Sequence, residues 1–262
     1  MKAKTGGLTK INIKLSTGND RIRLFPISDI HIGAPEGQCE WSKIKQNVNY
    51  INTHEDHYIL VLGDCLDWAP KMAKLLWRGG PNIYLQSLPP MKQIEKFKQL
   101  FAESIKKEKV LAVSSGNHEN WVMDVMGADV MQLICENINV PYINMGGCEM
   151  NIDLDKTRSY RLYVAHGPGG NPRTPSSALT ALFNFAENVY ADVYICGHTH
   201  QIGSWKFGRM FNNRKFKSYL VYSGHYLDWL GSYAQLFAKR PVPSGTPKIT
   251  LFTDRHDIHV EV

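Results

Sequence analysis

The chain has 262 residues, 43% of them hydrophobic and 21% charged, and 30 Lys and Arg against 24 Asp and Glu give a formal net charge of +6. That is the make-up of an ordinary globular protein able to bury a substantial core, and no apolar run approaches the roughly 18 residues of a membrane span. The segment MKAKTGGLTKINIKL carries positive charge without the apolar stretch of a secretory signal, so a cytoplasmic location is expected.

Taken in order, short β-rich runs alternate with segments of helical periodicity. Ile22–Ile27 reads as a strand ending in Ser28-Asp29-Ile30-His31, and Trp41–Thr53 as a helix. Tyr58–Leu62 is a second strand, closed by Gly63-Asp64-Cys65-Leu66-Asp67, and Met91–Lys107 a second helix. Lys109–Val113 leads to Gly116-Asn117-His118-Glu119 and a helix over Trp121–Asn137. Arg161–Ala165 ends at His166-Gly167, Ser177–Asn188 is helical, and Val193–Cys196 ends at Gly197-His198-Thr199-His200. Alternation of this kind predicts an α/β protein. The tail changes character: Lys217–Tyr222, Lys248–Thr253 and His256–Val262 read as strands, the last two joined by a tight Thr253-Asp254-Arg255 turn, so a mixed sheet region is expected there. No repeat or low-complexity tract interrupts the chain, and one domain over residues 1–262 is expected. Its irregular stretches near 68–90 and 226–247, rich in aromatics, Pro and Gly, are expected to be loop insertions walling an active site.

Polar residues follow five of the expected strands directly, and ligands of open α/β sheets bind at the carboxyl ends of strands. In D-x-H and H-x-H, alternate side chains of an extended segment point the same way, which suits two donors on one ion. Carboxylate, imidazole and amide oxygen are donors suited to Mn²⁺, Fe, Zn²⁺ or Co²⁺. Seven such donors are too many for one tetrahedral ion and fit two ions sharing a carboxylate. The five cysteines are odd in number and lack any C-x-x-C pair, so neither a disulfide framework nor a cysteine-rich zinc site is indicated, and Cys65 and Cys196 read as small buried side chains.

These residues make the chain resemble the calcineurin-like metallophosphoesterase superfamily, whose pattern is D-x-H, G-D-x-x-D, G-N-H-E/D, an isolated H, then G-H-x-H. The matches run in that order from Asp29 to His200, about two thirds of the chain. The resemblance implies a four-layer α/β sandwich of two mixed β-sheets back to back with helices outside. It also implies two divalent cations, with Mn²⁺ the expected pair. Asp29, His31 and His200 would hold one, and Asn117, His166 and His198 the other. Asp64 would bridge them, and His118, oriented by Asp67, would stand over the site as a general acid. The implied reaction is hydrolysis of phosphomonoesters or phosphodiesters by a metal-activated water attacking in line. Trp68 stands where Ser/Thr protein phosphatases of the superfamily carry Arg, which points away from that branch and toward phosphodiesterases, nucleases and small phosphatases.

Other residues admit plainer readings. His225, in Ser223-Gly224-His225-Tyr226, is a candidate for the substrate pocket, while Glu119 is expected to support its loop. His54, His57, His256 and His259 have no motif context and are expected at the surface. The basic residues are spread without one dense run, which suits either a nucleic-acid or nucleotide substrate or simply solvated faces. Trp68, Trp77, Tyr84, Tyr226, Trp229 and Tyr233 would stack on a base or aryl group, or pack ordinarily. The competing function is a non-catalytic DNA-binding or interaction protein retaining the same fold; DNA affinity that survives chelation would distinguish it.

Overall fold

A computed structural model describes residues 9–35, 37–68, 88–154, 158–167, 175–211, 213–230, 235 and 241–262. Its strands are β1 (Thr9–Leu15), β2 (Arg21–Ile27), β3 (His57–Leu62), β4 (Val110–Ser114), β5 (Tyr142–Ile143), β6 (Cys148–Leu154), β7 (Arg158–Ala165), β8 (Val193–Cys196), β9 (Ile202–Phe211), β10 (Arg214–Ser223), β11 (Lys248–Phe252) and β12 (Ile258–Glu261). The helices are α1 (Trp41–Asn52), α2 (Pro90–Lys106), α3 (Asn117–Met126), α4 (Val130–Ile138) and α5 (Pro175–Asn188).

The strands form two six-stranded sheets, one ordered β1-β6-β7-β8-β10-β9 and the other β12-β11-β2-β3-β4-β5. Both are mixed. In the first, β7, β8 and β10 run parallel while β9 returns antiparallel; in the second, β2 to β5 are parallel, β11 pairs antiparallel with β2, and β12 pairs antiparallel with β11. The period-two alternation of each central strand separates the layers. In β3, Leu60 and Leu62 join Met150, Leu162 and Val164 between the sheets, while Ile59 and Val61 face Ile44 and Val48 of α1 and Phe97 and Phe101 of α2. In β7, Leu162 and Val164 face inward while Tyr163 and Ala165 meet Leu182 and Ala186 of α5. Strands apolar on both sides are what a sheet covered on both faces requires, and each fully buried Leu or Ile contributes about 1.5–3 kcal/mol. The expected α/β sandwich of two mixed sheets flanked by helices is the observed architecture.

Several elements differ from the sequence reading. The helix expected over Trp121–Asn137 is two helices. Gly127 closes α3 at φ 68 with its N–H on Met123 O, and Asp129 opens α4 by accepting Gln132 N at 3.1 Å. The first of these starts at Asn117, so Asn117, His118 and Glu119 lie on a first helical turn. The tail strands are shared out: β10 lies inside the first sheet, and β11 and β12 extend the second. Strands β1, β5, β6 and β9 were not anticipated; β1 and β6 alternate apolar with polar or charged residues, and β9 carries two glycines. His57 is buried, with Nδ1 2.8 Å from Asp56 Oδ1 and its ring stacked on Phe25. His256 and His259 are exposed as expected. Tyr226 is a core residue whose hydroxyl accepts a hydrogen bond from Asn47 at 2.8 Å, so it is not placed to stack on substrate. Trp77, Tyr84 and Tyr233 lie outside the described residues, as do most of 68–90 and part of 226–247. Among the described residues no helix is long and apolar enough to cross a membrane.

The turn between β11 and β12 is gathered by one buried side chain. The Tyr160 hydroxyl stands 2.7, 2.9 and 3.0 Å from the carbonyls of Phe252, Arg255 and Asp257 and accepts Asp257 N–H at 3.2 Å. Tyr160→Phe is expected to lower stability by about 1–2 kcal/mol with an unchanged denaturant slope, read by urea unfolding.

Candidate metal centre

The loops leaving β2 and β3 are joined to each other by backbone, and so are those leaving β7 and β8. Asp29 and His31 donate their N–H groups to Gly63 O and Asp64 O, both at 3.0 Å, and Gly197 donates to His166 O at 2.9 Å. These bonds extend the strand pairing past the strand ends. The sequence reading treated D-x-H and H-x-H as extended; the structure corrects this. Asp29 (φ 51), His31 (φ 53), Asp64 (φ 48), His198 (φ 65) and His200 (φ 55) all adopt left-handed backbone. They are five of the eight non-glycine residues with positive φ among those described, so strain of about 1–2 kcal/mol per residue is concentrated in these loops.

Close packing keeps the loops in place. A Cβ on Gly116 would come within 2.2 Å of Asp64 N and Oδ1. Glu119, on the first turn of α3, reaches back to accept Gly116 N at 2.8 Å, Asp64 N at 3.0 Å and Leu66 N at 2.8 Å. One carboxylate thus ties three backbone groups of two loops, the supporting role expected for it. On the other side Ser28 Oγ donates to Asp29 Oδ2 at 2.5 Å and stands 2.5 Å from Ser223 Oγ. The sequence reading missed Ser28 and Ser223 as partners, because they come from different sheets.

The polar side chains converge in two groups. In the first, Asp29 Oδ1 is 3.2 Å from His200 Nε2, and His31 Nε2 is 3.4 Å from the same atom. In the second, His166 Nε2 lies 3.1 Å from Asn117 Oδ1, 3.2 Å from His198 Nδ1 and 3.2 Å from Asp64 Oδ2. His166 defines the chemistry. Its Nδ1 is 2.6 Å from Leu62 O, an acceptor only, so Nδ1 carries the hydrogen and the neutral ring presents a lone pair at Nε2. That lone pair then faces a carboxylate oxygen, an amide oxygen and a second imidazole. A positive charge between them reconciles the set. Two donor atoms each about 2.1 Å from one ion and about 90–110° apart stand about 3.0–3.4 Å from each other, the spacing found here.

Without a cation the charge must be a proton. Burial works against an imidazolium at His166, but the Asp64 carboxylate overcomes it and raises the pKa to about 10. Burial likewise opposes the charge on Asp64, yet His166 and His118 hold it well below the usual carboxylate range. Asp64 Oδ1 also accepts His118 N at 2.9 Å, at the N-terminus of α3 where negative charge is favoured. Asp64 lies with the second group, its Oδ2 4.0 Å from His198 Nδ1.

His118 stands beside the first group, edge-on to His31 at 4.7 Å. Its Nδ1 is 3.4 Å from Asp67 Oδ1, which also faces His31 Nδ1 at 3.2 Å. Burial lowers the pKa of His118, and Asp64 and Asp67 more than compensate, so the net shift is upward. Trp121 packs its ring against His118 at 4.5 Å, a contact hidden while the helix was expected to begin at Trp121. His225 lies behind the first group: it is 5% exposed, stacks on His200 at 5.0 Å with the rings 19° apart, and faces Val242 O through Nε2 at 3.2 Å. Cys65 and Cys196 are buried and free, with Cys196 pushed up to about 12 by burial.

A pH signature follows. The His166 pKa is raised on folding, so its contribution is fully present below pH about 6.5 and is lost as pH rises through about 10. In chelator-treated protein the melting temperature should fall across that window, and Asp64→Asn should flatten the fall, measured by calorimetry.

The model of the calcineurin-like phosphoesterase family matches residues 22–202. No curated protein matches the chain. Among solved structures, the chain is similar to a conserved uncharacterized protein, described as a predicted phosphoesterase, from Streptococcus pneumoniae TIGR4, at 12% identity over 92% of this chain and 88% of that one, TM-score 0.40. It is also similar to zinc-complexed Vps29 from Entamoeba histolytica, at 10% identity over 92% and 97% of the two chains, TM-score 0.37. With the family model covering more than half of its length, this chain belongs to the calcineurin-like phosphoesterases.

Proposed function

We propose that this chain is a two-metal phosphoesterase hydrolysing phosphomonoesters or phosphodiesters, nucleotides and nucleic acids being one substrate class among these. The observation that carries the reading is the meeting of Asp64, Asn117 and His198 with the lone pair of His166 at 3.1–3.2 Å. Asp29, His31 and His200 would hold one ion, Asn117, His166 and His198 the other, and Asp64 would bridge them, with Mn²⁺ the expected pair and Fe, Zn²⁺ or Co²⁺ alternatives. Two such ions, when bound, supply an acidified water and neutralise charge on the phosphate oxygens.

The chain's own residues do the rest. The Nδ1–H of His166 is fixed on Leu62 O, which keeps Nε2 available as a donor. Asp67 orients His31 and His118 together. An imidazolium at His118, favoured by Asp64 and Asp67, can hand its proton to the leaving oxygen. The stretches near 68–90 and 226–247 are read as walls of this site within one domain. A non-catalytic role has no specific observation behind it, since every donor of the motif set is present. The net charge of +6 is compatible with a phosphate-bearing substrate and equally with solvated basic faces.

Removing metal with a chelator should abolish hydrolysis of an aryl phosphate or bis-aryl phosphate, and Mn²⁺ should restore it. Asp64→Asn should leave fewer than two ions per chain by elemental analysis; activity indifferent to chelation, or two ions retained, refutes the reading. His118→Ala should keep both ions and lose about 10²–10⁴-fold in kcat on substrates with poor leaving groups, and much less with nitrophenolate. An equal loss across leaving groups excludes its role as acid.

A further inference from the structure

Strand β9 closes one side of the first sheet. It pairs with β10 over ten consecutive residues without a bulge, and among the described residues no strand pairs with its outer side. Ten residues extend about 33 Å, nearly twice the usual strand. Proteins blunt such edges with proline, bulges, short strands or projecting charges. The strand, IGSWKFGRMF, has no proline. Its two basic side chains fold back onto their own sheet: the Lys206 ammonium lies 5.3 Å over the Tyr219 ring, and Arg209 donates to Val189 O at 3.2 Å and to the Tyr194 hydroxyl. Large apolar side chains stand exposed along it. Trp205 is 56% and Met210 69% exposed, and the half-exposed Phe183 of α5 meets Phe207 edge-on at 5.3 Å.

We propose that this edge is covered by the same edge of a second copy, antiparallel and centred on Phe207. The sequence of β9 is complementary to itself in that register. Trp205 falls opposite the partner's Arg209, Lys206 opposite the partner's Gly208, and Ser204 opposite the partner's Met210. No like charges face each other, and each lysine stands opposite a residue without a side chain. Sliding by two residues, to centre the pair on Lys206, would set the two lysines directly against each other, a like-charge pair that costs stability. Directly opposed residues point to the same side of an antiparallel pair, so Trp205, Phe207 and Arg209 of both copies share the face covered by α5. Phe183 and Phe207 of each copy then meet their equivalents at the two-fold axis, an isologous contact that closes as a dimer. The partner's Phe211 falls opposite Gly203, three residues beyond His200.

The test is sedimentation velocity of the full chain from low micromolar to several hundred micromolar, with circular dichroism to show that each variant folds. Wild type should form a dimer. Gly208→Lys places a cation opposite the partner's Lys206 and should weaken dimerisation by about tenfold or more; Gly208→Glu, of opposite sign, should hold or tighten it. A Cβ at Gly208 meets nothing closer than 3.6 Å, so both variants fit the monomer. Trp205→Ala should also weaken the dimer. A folded wild type that stays monomeric overturns the proposal, as does a dimer that Gly208→Lys and Trp205→Ala leave intact.

Discussion

A buried negative charge at Asp64 is answered from three parts of the chain, and the candidate site is arranged around it. Taking a carboxylate out of water costs several kcal/mol unless partners replace its hydration. Asp64 Oδ1 accepts the His118 amide, Oδ2 faces His166, and its own N–H goes to Glu119. Each partner is itself fixed, His166 by Leu62 O and Glu119 by the amides of Leu66 and Gly116. The result is a set of donors with almost no freedom to turn away from a cation, which is the preorganisation a metal site needs.

The fold supports that rigidity at a cost in backbone strain. Left-handed conformations at Asp29, His31, Asp64, His198 and His200 would relax if the loops were independent. They are not independent, because each loop donates to or accepts from its neighbour in register with the strands beneath. The parallel strands end together, so their loops emerge side by side, and β10 brings Ser223 and His225 to the same end.

Much of this was legible in the sequence, for reasons that differ by element. The five central strands are apolar on both faces and end in Gly, Asp, His or Asn, so both their existence and their ends were readable. The donors were readable because their residue types have few plain reasons to recur in that order. What escaped was tertiary. Nothing local says that Asp29 and His31 are left-handed, because the hydrogen bonds holding them come from residues 63 and 64. The boundary at Gly127 was hidden by continuous apolar periodicity on either side. His57 looked like a surface residue because Phe25 covers it only once β2 and β3 are paired.

Each donor group draws on both sheets. Asp29 and His31 follow β2, and Asp64 and Asn117 follow β3 and β4, all in the second sheet; His166, His198 and His200 follow β7 and β8 of the first. Away from the centre the seam between the sheets is mostly apolar contact, tied by a few hydrogen bonds such as those of the Tyr160 and Tyr219 hydroxyls. An ion seated in either group would act as a rivet through both layers, so its release and the prising apart of the sandwich become one mechanical event. Occupancy of the centre would then be felt far from it, as resistance of the whole sandwich to shear.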